Sequence, residues 1–198
     1  MKQIIFASHN QHKIREVQAI LTPLGIHVSG ANEANIPDIE DTGTTFAENA
    51  LLKAKHAYQI TGLPALSDDS GLCICALNNE PGLFSARYAT QNGGYPAVFD
   101  VINQRLSDQS DKRAFFFCQM ALVWGPSKNE SALFSGQING IITDQPKGLK
   151  GFGYDPIFIP DGFSEPIATL PTDVKNTLSH RAKALSAVFD FLKNNLKI

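Results

Sequence analysis

Two adjacent carboxylates, Asp68 and Asp69, stand in the stretch Leu66-Ser67-Asp68-Asp69-Ser70-Gly71-Leu72, and their spacing limits what they can do together. A short apolar run, residues 63–66, reads as a strand that delivers them to its end. Gly71 is expected to turn the chain tightly before a second apolar run, residues 72–77. Successive strand side chains point to opposite faces, so the two carboxylates are expected to serve different partners and not to act as one clamp. Near the end of a buried strand they cost desolvation and mutual repulsion unless a metal ion, a lysine or both stand beside them. The competing reading is a polar turn in which Ser67 or Asp68 bonds its own backbone.

Three further stretches carry chemistry. Ser8-His9-Asn10-Gln11-His12-Lys13 spans a strand-to-helix junction. A helix start offers free N–H groups and a positive dipole end, which favour phosphate. Ser8 and Asn10 add a hydroxyl and an amide, and Lys13 a charge; plain helix capping by Ser8 or Asn10 is the alternative. Glu40 and Asp41 lie in an acidic loop ending at Gly43, and Lys53 lies one turn after Asn49 on the helix that follows. Carboxylates in small number suit a partly hydrated Mg²⁺ that completes its shell with substrate phosphates. In Gly148-Leu149-Lys150-Gly151-Phe152-Gly153-Tyr154-Asp155-Pro156, Phe152 is flanked by glycines. That arrangement suits an exposed ring stacking on a base, with Tyr154 or Asp155 reading its polar edge, or a tight turn with the ring tucked into the core. Lys175 precedes Ser179-His180-Arg181, where Ser179 can cap a helix. Basic residues in a first turn oppose the helix dipole, which points to an anion or base that accounts for them.

The elements that must position these residues follow from periodicity. Residues 3–8 read as a buried strand, 11–24 as a helix with a stripe of Ile14, Val17, Ile20, Leu21 and Leu24, and 26–29 as a second strand. Residues 31–42 are a polar loop. Thr45-Phe46-Ala47-Glu48 fits a capping box that launches a helix to about residue 60, stopped by Gly62 and Pro64. Residues 81–94 read as a loop-rich crossing and 95–106 as a helix. The β-like runs 113–124 and 132–142 are expected to pair. A C-terminal helix carries Ala182, Leu185, Val188, Phe189, Leu192 and Leu196 on one side. This order predicts an α/β fold with a mixed sheet.

Composition sets outer bounds. The chain has 198 residues, 43% hydrophobic and 18% charged, which suits one globular domain over 1–198 with a large core. A net charge of −2 gives no global field for nucleic acid or a membrane surface, so any anion site must be local. Cys73, Cys75 and Cys118 are odd in number and lack zinc spacing. Cys73 and Cys75 read as small hydrophobes in an apolar strand, and a reducing compartment is expected. Met1-Lys2-Gln3 leads straight into a strand-like run without a leader-type stretch, so a cytoplasmic location is expected. No Ser-His-Asp order or glycine-flanked nucleophile points to covalent catalysis.

Taken together, six ordered motifs resemble the inosine triphosphate pyrophosphatase family, enzymes of non-standard purine nucleoside triphosphates. They are Ser8-x-Asn10-x-x-Lys13, Thr45-Phe46-x-Glu48-Asn49-Ala50-x-x-Lys53-Ala54, Ser67-Asp68-Asp69-Ser70-Gly71-Leu72, Pro81-Gly82-x-x-Ser85-Ala86-Arg87-Tyr88, Gly151-Phe152-Gly153-Tyr154-Asp155-Pro156-x-Phe158 and Ser179-His180-Arg181. The resemblance implies an elongated two-lobed α/β fold, a central mixed sheet flanked by helices, and an active-site cleft between the lobes. It implies Mg²⁺-dependent hydrolysis of dITP, ITP and XTP to monophosphate and pyrophosphate, by a homodimer. By position, Asp69 resembles the proton acceptor and a metal ligand, and Glu40 the other ligand, with Asp41 one residue away. Ser8, His9, Asn10, Gln11, His12, Lys13, Lys53 and Ser70 resemble the triphosphate cradle. Phe152, Gly153, Tyr154, Asp155, Lys175, His180 and Arg181 resemble the base pocket, with a 6-oxo acceptor bonded by His180 or Arg181. His9 departs from the pattern, standing where the family commonly has glycine. Two rivals are a haloacid-dehalogenase-like phosphatase, which normally wants aspartates spaced by two, and a non-hydrolytic nucleotide-binding regulator.

Overall fold

The computed structural model describes residues 2–195; Met1 and residues 196–198, among them Leu196 of the expected C-terminal stripe, lie outside the described residues. In chain order the elements are β1 (Gln3–Phe6), α1 (Gln11–Leu21), β2 (His27–Gly30), α2 (Phe46–Thr61), β3 (Ala65–Ile74), β4 (Glu80–Pro81), α3 (Ser85–Gln91), α4 (Tyr95–Leu106), β5 (Arg113–Val123), β6 (Ser131–Ile142), β7 (Phe158–Pro160), α5 (Thr172–Leu178) and α6 (His180–Asn195). The strands hydrogen-bond in the order β2-β1-β3-β5-β6-β7, with β4 on β3. β1 runs parallel to β2 and β3, whereas β3–β4 and β6–β7 are antiparallel, so the sheet is mixed, as expected.

Contacts divide the chain into two compact units. The first comprises residues up to Asp69, Cys118–Gly136 and Arg181 onward; the second comprises Ser70–Phe117 and Gln137–His180. In the first, Phe6 of β1 pairs with Gly30 of β2, and α1 connects them, the strand-helix-strand opening read from periodicity. Its core joins Ile4 and Phe6, Ile14, Val17 and Leu21 of α1, and Leu185, Val188 and Leu192 of α6. In the second, Leu72, Ile74, Val98, Ile102, Phe116 and Phe158 pack together. Each such side chain contributes about 1.5–3 kcal/mol by leaving water. No helix among the described residues is long and apolar enough to cross a membrane.

Five local expectations are corrected. The strand-turn-strand around the carboxylates is one ten-residue strand, β3, and Asp68 and Asp69 lie within it. Gly71 does not turn the chain: a Cβ there would stand 2.0 Å from the Gly82 carbonyl oxygen and 2.7 Å from the Ser85 hydroxyl, so glycine is required by close approach. The crossing at 81–94 holds α3, too short for its periodicity to show. Cys75 is exposed at the end of β3, while Cys73 and Cys118 are buried. At α2, Thr45 Oγ1 accepts the Glu48 N–H at 3.1 Å, as a capping box requires. The Glu48 carboxylate, however, accepts from the Thr44 N–H and hydroxyl at 2.7 and 2.8 Å, one residue before the position a capping box prescribes.

Candidate active site

In the first unit, β3 presents its two aspartates to different partners, as the period of two dictates. Asp69, 7% exposed, accepts from Asn49 Nδ2 at 3.1 Å and from Lys53 Nζ at 3.2 Å. Asn49 and Lys53 stand four residues apart on α2 and share the helix face that reaches β3. Asn49 Oδ1 in turn accepts the Gly43 N–H at 2.7 Å, which ties the end of the acidic loop to the same side chain. Asp41, in that loop, stands 3.2 Å from Lys53 Nζ. One ammonium therefore lies against two carboxylates. Burial pushes the Asp69 carboxyl above its ordinary value, Lys53 pulls it back, and Asp41 pushes it up again. Burial works against the Lys53 charge, but the surrounding carboxylates hold its pKa above the ordinary lysine value.

Asp68, whose side chain is 1% exposed, has a different neighbourhood. Lys13 Nζ stands 3.0 and 2.9 Å from its two carboxylate oxygens, and Arg181 donates to Oδ2 from Nε at 3.3 Å and Nη2 at 3.0 Å. Arg181 also donates from Nη1 to Glu16 at 2.6 Å. Burial disfavours the guanidinium charge, yet Asp68 and Glu16 hold it firmly protonated. At the head of α1, Asn10 caps the helix, accepting from the N–H groups of His12 and Lys13 at 2.9 and 3.3 Å. Ser8 Oγ accepts the Asn10 N–H at 3.2 Å. Gln11 and His12 are exposed in the first turn, and His12 Nδ1 accepts from Arg15 Nη2 at 3.2 Å. The His9 ring donates from Nε2 to the Ile36 carbonyl at 3.0 Å and so braces the start of the acidic loop.

The donor set fits a hard divalent cation. Among the described residues no group of three or more His, Cys, Asp or Glu side chains is gathered for a metal. An ion that keeps several waters, however, needs only one or two carboxylates. Asp69 and Asp41 already converge on a positive charge. Glu40 is exposed in the same loop.

The second unit holds a separate cluster. Asp155, 4% exposed, accepts from Lys175 Nζ at 2.7 Å and from the Phe152 N–H at 2.8 Å. The Lys175 ammonium also lies 4.8 Å from the Phe152 ring centroid, a cation–π placement. Phe152 is half-buried. Gly151, at φ +80°, admits no side chain, since a Cβ would stand 2.0 Å from Asp155 Oδ2. Gly153 adopts φ +67°. The buried Tyr154 donates its hydroxyl to the Ser85 carbonyl at 2.9 Å. Desolvation pushes that phenol well above its ordinary pKa. His180 stacks on Phe116 with centroids 4.9 Å apart and planes at 13°. Ser70 follows Asp69 on β3 and is half-buried.

The structure thus gathers Asp69 and Lys53 in one group, Lys13 and Arg181 in another, and Phe152, Asp155 and Lys175 in a third. The anion that accounts for Arg181 in a helix first turn is the chain's own Asp68. The roles of Asn49 and Glu16 were not read from the sequence; the i, i+4 spacing of Asn49 and Lys53 is the signal that points to the first.

Comparison with known proteins places these clusters in context. A family model described as the Ham1 family matches residues 4–191. A dITP/XTP pyrophosphatase of Coxiella burnetii is 43% identical over 187 residues, covering 93% of this chain and 94% of that protein. One of Streptomyces coelicolor is 42% identical over 201 residues, covering 99% and 100%. Among solved structures, a HAM1 protein from Coxiella burnetii superposes with a TM-score of 0.89 at 42% identity, covering 98% of this chain and 99% of that one.

Proposed function

The chain belongs to the Ham1 family, and from that premise we propose that it hydrolyses non-standard purine nucleoside triphosphates, dITP, ITP and XTP, to the monophosphate and pyrophosphate. One observation carries the reading at the level of residues: a buried carboxylate, Asp69, oriented by Asn49 and facing the Lys53 ammonium.

In the proposed reaction a water attacks the α-phosphorus in line. A bond forms between the water oxygen and that phosphorus, the bond to the α–β bridging oxygen breaks, and pyrophosphate leaves with the bond's electron pair. Asp69 takes the water's proton. Lys13, Lys53 and the Ser8–Lys13 segment bind the triphosphate and offset the charge it develops. Asp69 and Glu40, with Asp41 beside them, would hold Mg²⁺, whose chemistry there is to neutralise phosphate oxygens. Phe152, backed by the Lys175 ammonium and pinned by Asp155, is the proposed stacking platform for the base. His180 is the proposed donor to its 6-oxo group. Adenine offers a 6-amino donor there, leaving the protein donor unpaired at a cost of about 1–3 kcal/mol. The resemblance also supports a cytoplasmic homodimer.

Product analysis tests this reading. Purified protein with Mg²⁺ is offered ITP, dITP, XTP, GTP and ATP, and pyrophosphate with monophosphate is expected from the first three, with little turnover of the last two. Release of orthophosphate and a diphosphate, or binding without products, would overturn it. Asp69→Asn is expected to lower kcat by about 10²–10⁴-fold while nucleotide binding persists; near-normal kcat would remove Asp69 from the mechanism.

A further inference from the structure

The segment of the second unit that carries the proposed base platform is built from residues that bend easily. Gly148, Gly151 and Gly153 stand at φ +94°, +80° and +67°. Glycine reaches such a backbone without strain, but it leaves many others open to the chain. A ring that stacks on a base must nevertheless be presented at one angle. Asp155 holds Phe152 by accepting its N–H at 2.8 Å, and the Tyr154 hydroxyl is committed to the Ser85 carbonyl at 2.9 Å. Gly153, between Phe152 and Tyr154, has no side chain with which to hold itself.

Helix α4 supplies the missing contact. Tyr95 is its first residue and Phe99 follows one turn on, so the two share a helix face. The Tyr95 ring meets the Tyr154 ring edge-on, with centroids 5.2 Å apart and planes at 87°, and Phe99 lies tilted on the same ring at 6.3 Å. A Cβ built on Gly153 would stand 3.7 Å from Cε1, Cζ and the hydroxyl oxygen of Tyr95. The phenol end of Tyr95 therefore faces the bare side of that glycine. Phe99 is buried in the core of the unit, whereas Tyr95 is half-buried at the edge of that core. Burial, and then the Asp155 carboxylate, push the Tyr95 phenol above its ordinary pKa, so the ring beside the segment stays uncharged.

We propose that Tyr95 is a positioning residue for the purine: its ring, edge-on to Tyr154 and facing the bare side of Gly153, holds the two residues that follow Phe152 and so fixes the angle at which Phe152 meets the base. This inference rests on the proposed function in taking Phe152 as the stacking platform. Tyr95 acts through Phe152 and through its ring; its hydroxyl is not required.

Inorganic tripolyphosphate, which has no base, separates this role from a general loosening of the protein. In Tyr95→Ala the KM for ITP is expected to rise about fivefold or more, the equivalent of ~1 kcal/mol, while kcat stays within about twofold of wild type. The inhibition constant of tripolyphosphate against ITP hydrolysis is expected to stay within about twofold as well. Tyr95→Phe, which keeps the ring, is expected to restore the KM for ITP to within about twofold of wild type. If Tyr95→Ala does not fold, Tyr95→Leu, which fills space without an aromatic edge, is read in the same assays, with a rise of about threefold or more expected in the KM for ITP. An unchanged KM for ITP in a folded Tyr95→Ala or Tyr95→Leu, a parallel rise in the tripolyphosphate constant, or a Tyr95→Phe variant as impaired as the others would overturn the inference while leaving the proposed function standing. A wild-type chain that does not cleave ITP would overturn both.

Discussion

Asn49 does two things with one amide. It is 1% exposed, its Nδ2 donates to Asp69 and its Oδ1 receives the Gly43 N–H, so the proposed proton acceptor and the end of the acidic loop share a support. Asn49→Ala strands the Gly43 N–H, and a loss of about 1–3 kcal/mol in urea unfolding is expected. The same donor helps hold the Asp69 carboxyl down, so its removal lets burial push that pKa further up. Asp69 must be ionised to take a proton, and the acid limb of kcat/KM is therefore expected to move to higher pH in Asn49→Ala. A second titration lies in the other unit. Burial pushes the Cys73 thiol up to about 11, whereas Cys75 is exposed. At pH 8 an alkylating reagent is expected to label Cys75 and spare Cys73, read by peptide mass. Above about pH 9 the unfolded chain releases the Cys73 proton and the folded one keeps it, so this group removes stability as pH rises from there toward 11.

At the scale of elements, β3 shows what local pattern conveys and what it does not. The alternation of Asp68 and Asp69 was legible because side-chain direction along a strand depends only on position. The reading of Gly71 as a turn failed because a glycine permits many backbones, and the reason for this one lies eleven residues away at Gly82. Gly71→Ala is expected to cost about 1–3 kcal/mol through that clash, measured as a shift in the unfolding midpoint. α3 escaped notice because its seven residues sit between Pro81-Gly82 and Gly93-Gly94, whose turn signals dominate the window. α2 was legible at both ends, since Thr45 supplies an acceptor and Gly62, at φ +66°, a left-handed stop.

For the molecule as a whole, the mixed α/β sheet followed from the order of periodic segments, while the pairing of Arg181 with Asp68 across 113 residues had no local signature. Spacing along a chain reports neighbours on one element, and this contact joins α6 to β3. The first unit's core depends on the same long return, because Leu185, Val188 and Leu192 of α6 pack with α1 and β1. Leu185→Ala is expected to cost about 2–5 kcal/mol in chemical denaturation, as a fully buried leucine does.

The return also has a consequence for how the protein is made. Every residue of the second unit leaves the ribosome before Arg181, whereas the first unit is begun first and finished last. Until α6 emerges, the nascent chain carries an apolar face on α1 without its cover and a carboxylate at position 68 without its arginine. The second unit is thus complete in the nascent chain before the first, which waits, open to chaperones and proteases, until α6 has been translated.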